Sequence, residues 1–439
     1  MITLILSSKT TKYLIAIFFI AVFLFARSFM GIYIFGFRLG ELVMGASLMF
    51  LLVALAQHKK LIYTNYLSRE LYFTVLLIIL FFIFNSIISN SSFTSTYTYK
   101  SSSYIWTLGM LFVGVNFFKL HYLNDKLLKS FYFILLFMYV YGTFGVPRSV
   151  IDFTLKYSDK FEPHKGSDLL IIFISIFFIN NRFFKNKRLS FEIFTLFSCL
   201  YFPLFGYKSR GAFIAFIIFM VTEYFYFRKE FKSSYKRNLA IFSLGFVILF
   251  QSVFLINGSS FFKFNQAQEE VKTLVEYRAD PDEEEFRILF FEEDYWTKEM
   301  RLKSSDNNLN WRLQIWQDVY FSIYYRDLIL TGYGYSFKIP AMEIISRQGL
   351  DRLNENVHNY IVTIYARGGL IHLTLYGFFY YFLIRDIKRA TNSLYFLPFL
   401  IAAMFTAFFD VAMENSHYPL IFYFLLGMSI HKNRIFKNI

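Results

Sequence analysis

Apolar runs long enough to approach the span of a lipid bilayer recur from one end of this chain to the other, and no other feature limits its fold as much. A helix needs roughly 20 residues to cross the hydrocarbon core. About twelve stretches qualify as candidates: 13–30, 36–56, 71–89, 103–118, 128–146, 168–181, 189–207, 210–227, 239–256, 358–384, 394–411 and 417–431. Backbone groups in hydrocarbon must be hydrogen-bonded within the segment, so such runs are expected to be helices. The second carries Arg38 and Glu41, and the sixth is short. The expected fold is an all-α polytopic membrane protein of about twelve transmembrane helices.

Composition agrees: 56% of the residues are hydrophobic, 22% aromatic and 17% charged. The net charge of +14 would fit nucleic acid only if the basic residues shared one soluble surface. They are instead distributed among short connections. Lys59, Lys60 and Arg69 form one group, Lys119, Lys126 and Lys129 a second, and Arg182, Lys185, Lys187 and Arg188 a third. Arg228, Lys229, Lys232, Lys236 and Arg237 follow, then Arg385, Lys388 and Arg389. Both termini join this set through Lys9, Lys12, Lys432, Arg434 and Lys437. With an even number of spans, all of these fall on one side, and the positive-inside tendency makes it the cytoplasm. The first run, from Tyr13 to Ala26, has the charge layout of a signal sequence. No small-x-small cleavage pattern follows, so it is expected to remain as the first helix. The single cysteine, Cys199, lies in an apolar run, which removes disulfide and cysteine–metal chemistry.

The chain thus divides into residues 1–256 with nine helices, an outward loop over 257–357, and residues 358–439 with three helices and a cytoplasmic tail. Of the other outward connections, 90–103 is rich in Ser, Thr and Tyr, and 147–167 is short and mixed in charge. The large loop holds 18 acidic and 12 basic side chains. Gln266 to Tyr277 and Asp282 to Trp296 are expected to form helices at the membrane interface. The acidic block there suits a solvated helix start after Pro281 and lacks the spacing of a calcium loop. In Trp311 to Tyr325, apolar side chains recur at steps of three and four, which predicts a helix laid against the membrane or the bundle. Arg312 shares a face with Trp316. Thr331 to Tyr335 (TGYGY) is a turn whose glycines permit positive φ and close backbone approach.

Three outward-facing sites carry candidate chemistry. Lys208, Ser209, Arg210 and Gly211 pack two cations against a helix start, an arrangement suited to phosphate; alternatively, the two cations snorkel to lipid headgroups. His358 stands at the start of the tenth span with Asn354 or Asn356 available as the N-cap. A helix N-terminus disfavours imidazolium, which would leave a neutral ring able to act as a general base. The simpler reading is an amphipathic boundary residue. Arg367, beside Gly368 and Gly369, is expected to face the bundle interior or a wet cavity. Asp410, Glu414 and His417 lie in the last outward turn, where ordinary loop polarity also explains them.

Together these pieces resemble the O-antigen ligase and polymerase superfamily. The resemblance rests on Ser209-Arg210-Gly211 at a helix start, Trp311-Arg312 followed by Trp316, the Gly332-Tyr333-Gly334 turn, and His358-Asn359 leading to Gly368-Gly369. It covers roughly residues 190–430. It implies a GT-C-like fold in a bacterial inner membrane, with a large helical periplasmic loop. The implied reaction transfers a glycan from undecaprenyl diphosphate on the periplasmic face, with inversion and without metal, cofactor or nucleotide sugar. Arg210 and Arg312 would bind the diphosphate, and His358 would take the acceptor's proton. Lys208, Asn359, Arg367 and Tyr333 would add contacts to diphosphate or glycan. One departure is His372, which stands where the family usually has a further glycine. Within the superfamily a ligase acts on lipid A-core, whereas a polymerase extends the lipid-linked chain; the long loop leans toward a ligase. Polyprenyl-monophosphate glycosyltransferases generally carry paired acids in the first outward loop, and 27–38 has none. A flippase or transporter would be expected to show an internal repeat and midplane ionisable groups, and neither is evident in the sequence.

Overall fold

In the computed structural model, the described residues are 9–430, apart from 57–66, 94, 121–124, 159–160, 162–163, 185, 234, 260–286, 294–297 and 349–353. The first part of the chain runs α1 (Lys9–Met30), a hairpin of β1 (Tyr33–Ile34) and β2 (Phe37–Arg38), α2 (Leu39–Ala56) and α3 (Arg69–Ile88). Short helices α4 (Thr96–Ser101) and α5 (Ser103–Trp106) lead to α6 (Gly109–Leu120) and α7 (Asp125–Phe144). Then come α8 (Arg148–Tyr157), α9 (Gly166–Phe183), α10 (Lys187–Lys208), α11 (Arg210–Tyr226), α12 (Arg228–Ser233) and α13 (Tyr235–Ser259). Beyond the outer segment's β3 (Phe290–Glu293), β4 (Met300–Lys303) and α14 (Asn307–Tyr325), the chain ends in α15 (Tyr360–Thr391), α16 (Leu397–Phe409) and α17 (His417–Ser429).

A helix overlies each of the twelve apolar stretches, but helix and membrane span are not the same thing. Among the described residues, five helices are long and apolar enough to cross a membrane: 13–30, α2, α3, α10 and 235–257. A sixth is reached if Leu128–Phe144 and Arg148–Tyr157, bent by 105° from one another, count as one span. The protein is membrane-embedded on this ground, and length and composition alone support five or six of the expected spans among the described residues. The reason is visible in α16 and α17, each 13 residues long. At about 1.5 Å per residue they reach only ~20 Å, short of the ~30 Å core. Every residue of α17 is buried, so this helix is enclosed by protein rather than lipid. Its crossing with α6 is tight: a Cβ on Gly427 would lie 2.1 Å from the Leu111 carbonyl oxygen, and one on Gly114 2.1 Å from that of Phe424. Small residues permit this backbone approach, which drives helix packing where lipid removes the hydrophobic term.

At the end of the bundle opposite His358, Arg182 is fully buried and meets Glu223 at 2.6 Å, while its Nε donates to the Tyr395 carbonyl at 3.0 Å. The paired charge joins α9, α11 and the segment before α16.

The outer segment departs from the expected helices. Gln266 to Tyr277 lies outside the described residues, and of Asp282 to Trp296 the described part is a strand. Phe290–Glu293 pairs antiparallel with Met300–Lys303, bringing Glu292 opposite Arg301. Strand alternation sends Arg301 inward, 6% exposed, where α14 supplies Asp318 at 2.5 Å and Gln314 at 3.2 Å. A buried cation needs such partners, and the hairpin register provides them. The 147–167 connection also contains a helix, α8.

The outer segment is spliced into the bundle at a break in α15. Gly369 has φ +63, and the ladder opens there. Tyr333 and Gly334 donate their amides to the carbonyls of Ala366 and Arg367 at 2.8 and 3.0 Å. Beyond the break, Leu370 and Ile371 donate to Ile329 and Leu330 at 2.8 and 3.3 Å. Asn85 from α3 adds bonds to Thr331 and Arg367 carbonyls at 2.7 and 2.9 Å. A Cβ on Gly369 would sit 2.3 Å from Leu330 backbone, so glycine is required for space as well as φ. His372 completes the joint, with Nδ1 2.8 Å from the Tyr335 hydroxyl. Packing is therefore close despite the departure from glycine at that position.

Candidate active site

His358 does not begin α15, as the sequence suggested. It precedes the N-cap, Asn359, whose Oδ1 accepts from the Val362 amide at 3.1 Å. The cap moves the helix start to Tyr360, and His358 is held at φ +55. A left-handed histidine is uncommon and persists only where its surroundings fix it. Two contacts help to do so: Nε2 lies 3.2 Å from Asn354 Oδ1, and the ring meets Trp311 of α14 edge-on at 5.2 Å. An amide oxygen only accepts, so Nε2 carries the proton and Nδ1 is the basic atom. Nδ1 is buried, has no hydrogen-bond partner among the described residues, and faces Asp410 Oδ1 at 3.9 Å.

Asp410 is held in turn. Its Oδ2 accepts from Ser167 at 2.5 Å and its Oδ1 from the Val411 amide at 2.8 Å. Next to Ser167, Asp168 is buried and binds His417 Nε2 at 2.8 Å and Arg27 Nε at 3.2 Å. The start of α9 therefore grips both ends of the 410–417 turn. Arg27 reaches it because α1 breaks at Ala26, where φ is +39. Burial lowers the His358 pKa to about 4, opposed by Asp410 and reinforced by Arg312, Lys165 and Arg27. The resting imidazole is thus neutral, with burial rather than a helix dipole as the main cause.

The arginines approach from α14 and α11. Arg312 Nε is buried without a partner, and burial lowers its pKa while Asp410 opposes that shift. Arg210 is 84% exposed and pairs with Asp306, the N-cap of α14. Close packing brings the start of α11 to the same place. A Cβ on Gly166 would lie 2.6 Å from Ser209 Cβ, and one on Gly211 3.4 Å from Phe409 Cβ. The neighbours of Arg210 thus touch the neighbours of Ser167 and Asp410. Trp316 seats α14 over this corner, donating Nε1–H to the Val357 carbonyl at 2.8 Å and meeting the Phe408 ring at 5.6 Å.

Glu414 is the second carboxyl here. Thr363 Oγ1 lies within hydrogen-bond reach of Glu414 Oε1 and also 2.9 Å from the Asn359 carbonyl. One hydroxyl proton cannot serve both acceptors, so a protonated Glu414 completes the pair. Burial indeed raises its pKa to about 7. Glu414 Oε2 and Asn359 Nδ2 remain buried without partners.

The sequence-derived set therefore separates. His358, Arg312 and Asn359 adjoin one corner, with Arg210 at its rim and Lys208 just behind it at the end of α10. Arg367 and Tyr333 belong to the splice. Arg367, 4% exposed, donates to the Gly334 and Phe337 carbonyls at 3.3 and 2.5 Å and to the Tyr97 hydroxyl at 3.0 Å. Tyr333 packs on α14 through Ile315, Val319 and Ile323. Sequence reasoning left out Arg27, Lys165, Ser167 and Asp168, although Arg27 and Lys165 carry the signal used for Lys208 and Arg210: a charge at the outward end of an apolar run.

Fold and site define a helical membrane protein with a neutral histidine, a facing carboxylate and several cations at one end of the bundle. Residues 193–377 match the family model Wzy_C, described as O-antigen ligase. This match supports placing the chain in the O-antigen ligase superfamily, whose members are membrane glycan-transfer enzymes. No curated protein matches the sequence. The matched segment holds His358, Arg312, Arg210, Lys208, Asn359, Arg367 and Tyr333, whereas Arg27, Asp168 and Asp410 lie outside it.

Proposed function

We propose that this protein is an O-antigen ligase that moves a glycan from undecaprenyl diphosphate to lipid A-core, without a metal and with inversion. The observation that carries the reading is the His358 ring, with Nε2 engaged by Asn354 and a buried, unpartnered Nδ1 facing Asp410. Nδ1 takes the proton of the acceptor hydroxyl as its oxygen attacks the anomeric carbon. The bond from that carbon to the diphosphate oxygen breaks, and the single displacement inverts the anomer. Asp410 stabilises the imidazolium that forms, as a carboxylate does beside a base histidine. Arg312 and Arg210 bind the diphosphate and hold the charge that develops on it, a task suited to planar guanidinium donors. Lys208 and Asn359 add contacts to diphosphate or glycan. Arg367 and Tyr333 support the site through the splice and belong to the same expected binding set.

In this reading the chain lies in the bacterial inner membrane with about twelve spans, both termini in the cytoplasm and the site facing the periplasm. The short α17 is accommodated because the protein encloses it. The experiment is a transfer assay with purified protein, chelator, lipid-linked oligosaccharide donor and two competing acceptors. Glycosylated lipid A-core supports the ligase. A ladder of longer lipid-linked chains would assign a polymerase instead, and no product with matched substrates would overturn glycan transfer.

A further inference from the structure

Between α1 and α2 the chain turns in eight residues, 31–38, folded as the β1–β2 hairpin. Four residues out and four back reach at most ~13 Å. Both flanking helices contain candidate spans, so the hairpin stays near the bilayer surface. Its tip is Phe35-Gly36, with φ +51 and +84, where Asn-Gly or Gly-Gly is the usual choice. Phe35 is 98% exposed, and Tyr33 and Phe37 are 48% and 58% exposed. A bulky aromatic side chain in a left-handed turn, directed away from all protein, gains nothing from the fold itself.

Alongside it lies α8, turned 105° from α7 and containing no buried residue. On a helical projection Val150, Ile151, Phe153, Leu155 and Tyr157 spread over one broad face around Thr154, and Arg148, Ser149, Asp152 and Lys156 occupy the other. Phe153 is 66% exposed and Tyr157 50%, so none of the described residues covers that apolar face. Ser158 ties this helix to the hairpin: it bridges to Ile32, and its Oγ donates to the Ser28 carbonyl at 2.9 Å. The two elements form one ledge on the side of His358, since Arg27 meets Asp168 and Gly40 abuts Ser416. Cations accompany the rings: Lys156 lies over Tyr157 at 5.7 Å and Arg38 over Tyr33 at 6.0 Å, while Asp152 is the lone acid on α8.

We propose that this ledge docks on the membrane itself, with its rings at the headgroup–acyl boundary of the leaflet on the His358 side and its cations among anionic phospholipid headgroups. Four features favour that occupant. The short connection fixes the depth, the bend lays α8 across the membrane normal, the apolar face is uncovered, and the basic residues complement an anionic surface. The proposal does not depend on glycan transfer.

The test uses full-length protein in nanodiscs of phosphatidylethanolamine with phosphatidylglycerol. Phe35→Cys, Phe153→Cys and, as an aqueous reference on the outer segment, Glu343→Cys are each made with Cys199→Ala and labelled with NBD. Lipid carrying a nitroxide near the glycerol end of its acyl chain should cut emission at 35 and 153 to roughly half or less, consistent with interfacial burial. Iodide should quench only the label at 343. Iodide quenching at both 35 and 153, without nitroxide quenching, would overturn the proposal. Retained quenching at 35 and 153 after phosphatidylglycerol is omitted would overturn its anionic-headgroup part, whereas weakened quenching at 153 would support it. The label at 153 tests the ledge separately from any change that Phe35→Cys makes in the turn.

Discussion

Two arginines show how differently this molecule treats the same side chain. At the splice, Arg367 donates to two loop carbonyls and a tyrosine hydroxyl, and the surrounding amides and carbonyls are paired through Gly369. At the corner near His358, Arg312 Nε, His358 Nδ1, Asn359 Nδ2 and Glu414 Oε2 are buried and have no partner among the described residues. A buried polar group without a partner costs about 1–3 kcal/mol, so a cluster of them is a burden that folding alone does not explain. The backbone-paired splice holds the outer segment in place, with Asn85 Oδ1, Tyr333 Oη and His372 Nε2 left unpartnered there among the described residues. The corner by His358 gathers its unpartnered groups around a base and an arginine, and retains hydrogen-bonding capacity that a substrate can use.

If that distinction holds, substitutions in the two regions should fail in different ways. The largest effect is expected from His358→Asn, which tolerates the left-handed backbone yet removes the base. Transfer should fall by ~10²–10⁴ while the protein inserts, purifies as a single species and binds donor. Arg312→Ala and Arg210→Ala should also abolish detectable transfer and, unlike His358→Asn, weaken donor binding, measured by titration with the lipid-linked oligosaccharide. Full transfer in all three variants would remove the mechanism. Arg367→Ala should fail in the opposite manner, losing folded protein, by ~3 kcal/mol or more for its charged hydrogen bonds. Gly369→Ala should behave likewise, because its Cβ would meet Leu330 backbone at 2.3 Å. Unfolding in detergent checks both; a stable, inactive Arg367→Ala would return Arg367 to the substrate.

Much of this architecture is legible from hydropathy. The apolar run at 189–207 becomes α10 at Lys187–Lys208, and 210–227 becomes α11 at Arg210–Tyr226. These limits are set locally by Asn186 and Ser209, which cap the two helices through their side chains. The start of α15 was displaced by two residues because three asparagines compete for the cap, and only tertiary contacts to Trp311 and Asp410 decide that His358 stays outside. The β3–β4 hairpin was missed because its register depends on burying Arg301 against α14, a contact remote in sequence. Length and composition alone support only five or six of the expected spans among the described residues, because an apolar composition does not distinguish a lipid-facing helix from one enclosed by protein, as α17 is. The pairing of Asp410 with Ser167 and His358 joins residues more than 50 positions apart, which no local pattern encodes.

The smallest expected effect concerns Glu414 and separates a protonated acid from a resting carboxylate. Its pKa is raised by burial from 4.5 to about 7, so the folded state holds the proton more tightly than the unfolded chain. Stability from this group is therefore fully present below the unfolded value and lost as pH rises through about 7. His358 works in the other direction, because its lowered pKa disfavours the folded state as pH falls toward 4, so the wild-type profile alone mixes the two. The difference between wild type and Glu414→Gln isolates the carboxyl. The glutamine variant should be the more stable protein at about pH 8, where the buried acid ionises, with an advantage that shrinks as pH falls through about 7 and is gone below the unfolded value of 4.5. Thermal unfolding across this range measures it. A pH-independent difference would mean that Glu414 does not titrate there, and that Thr363 donates to a carboxylate rather than accepting from an acid.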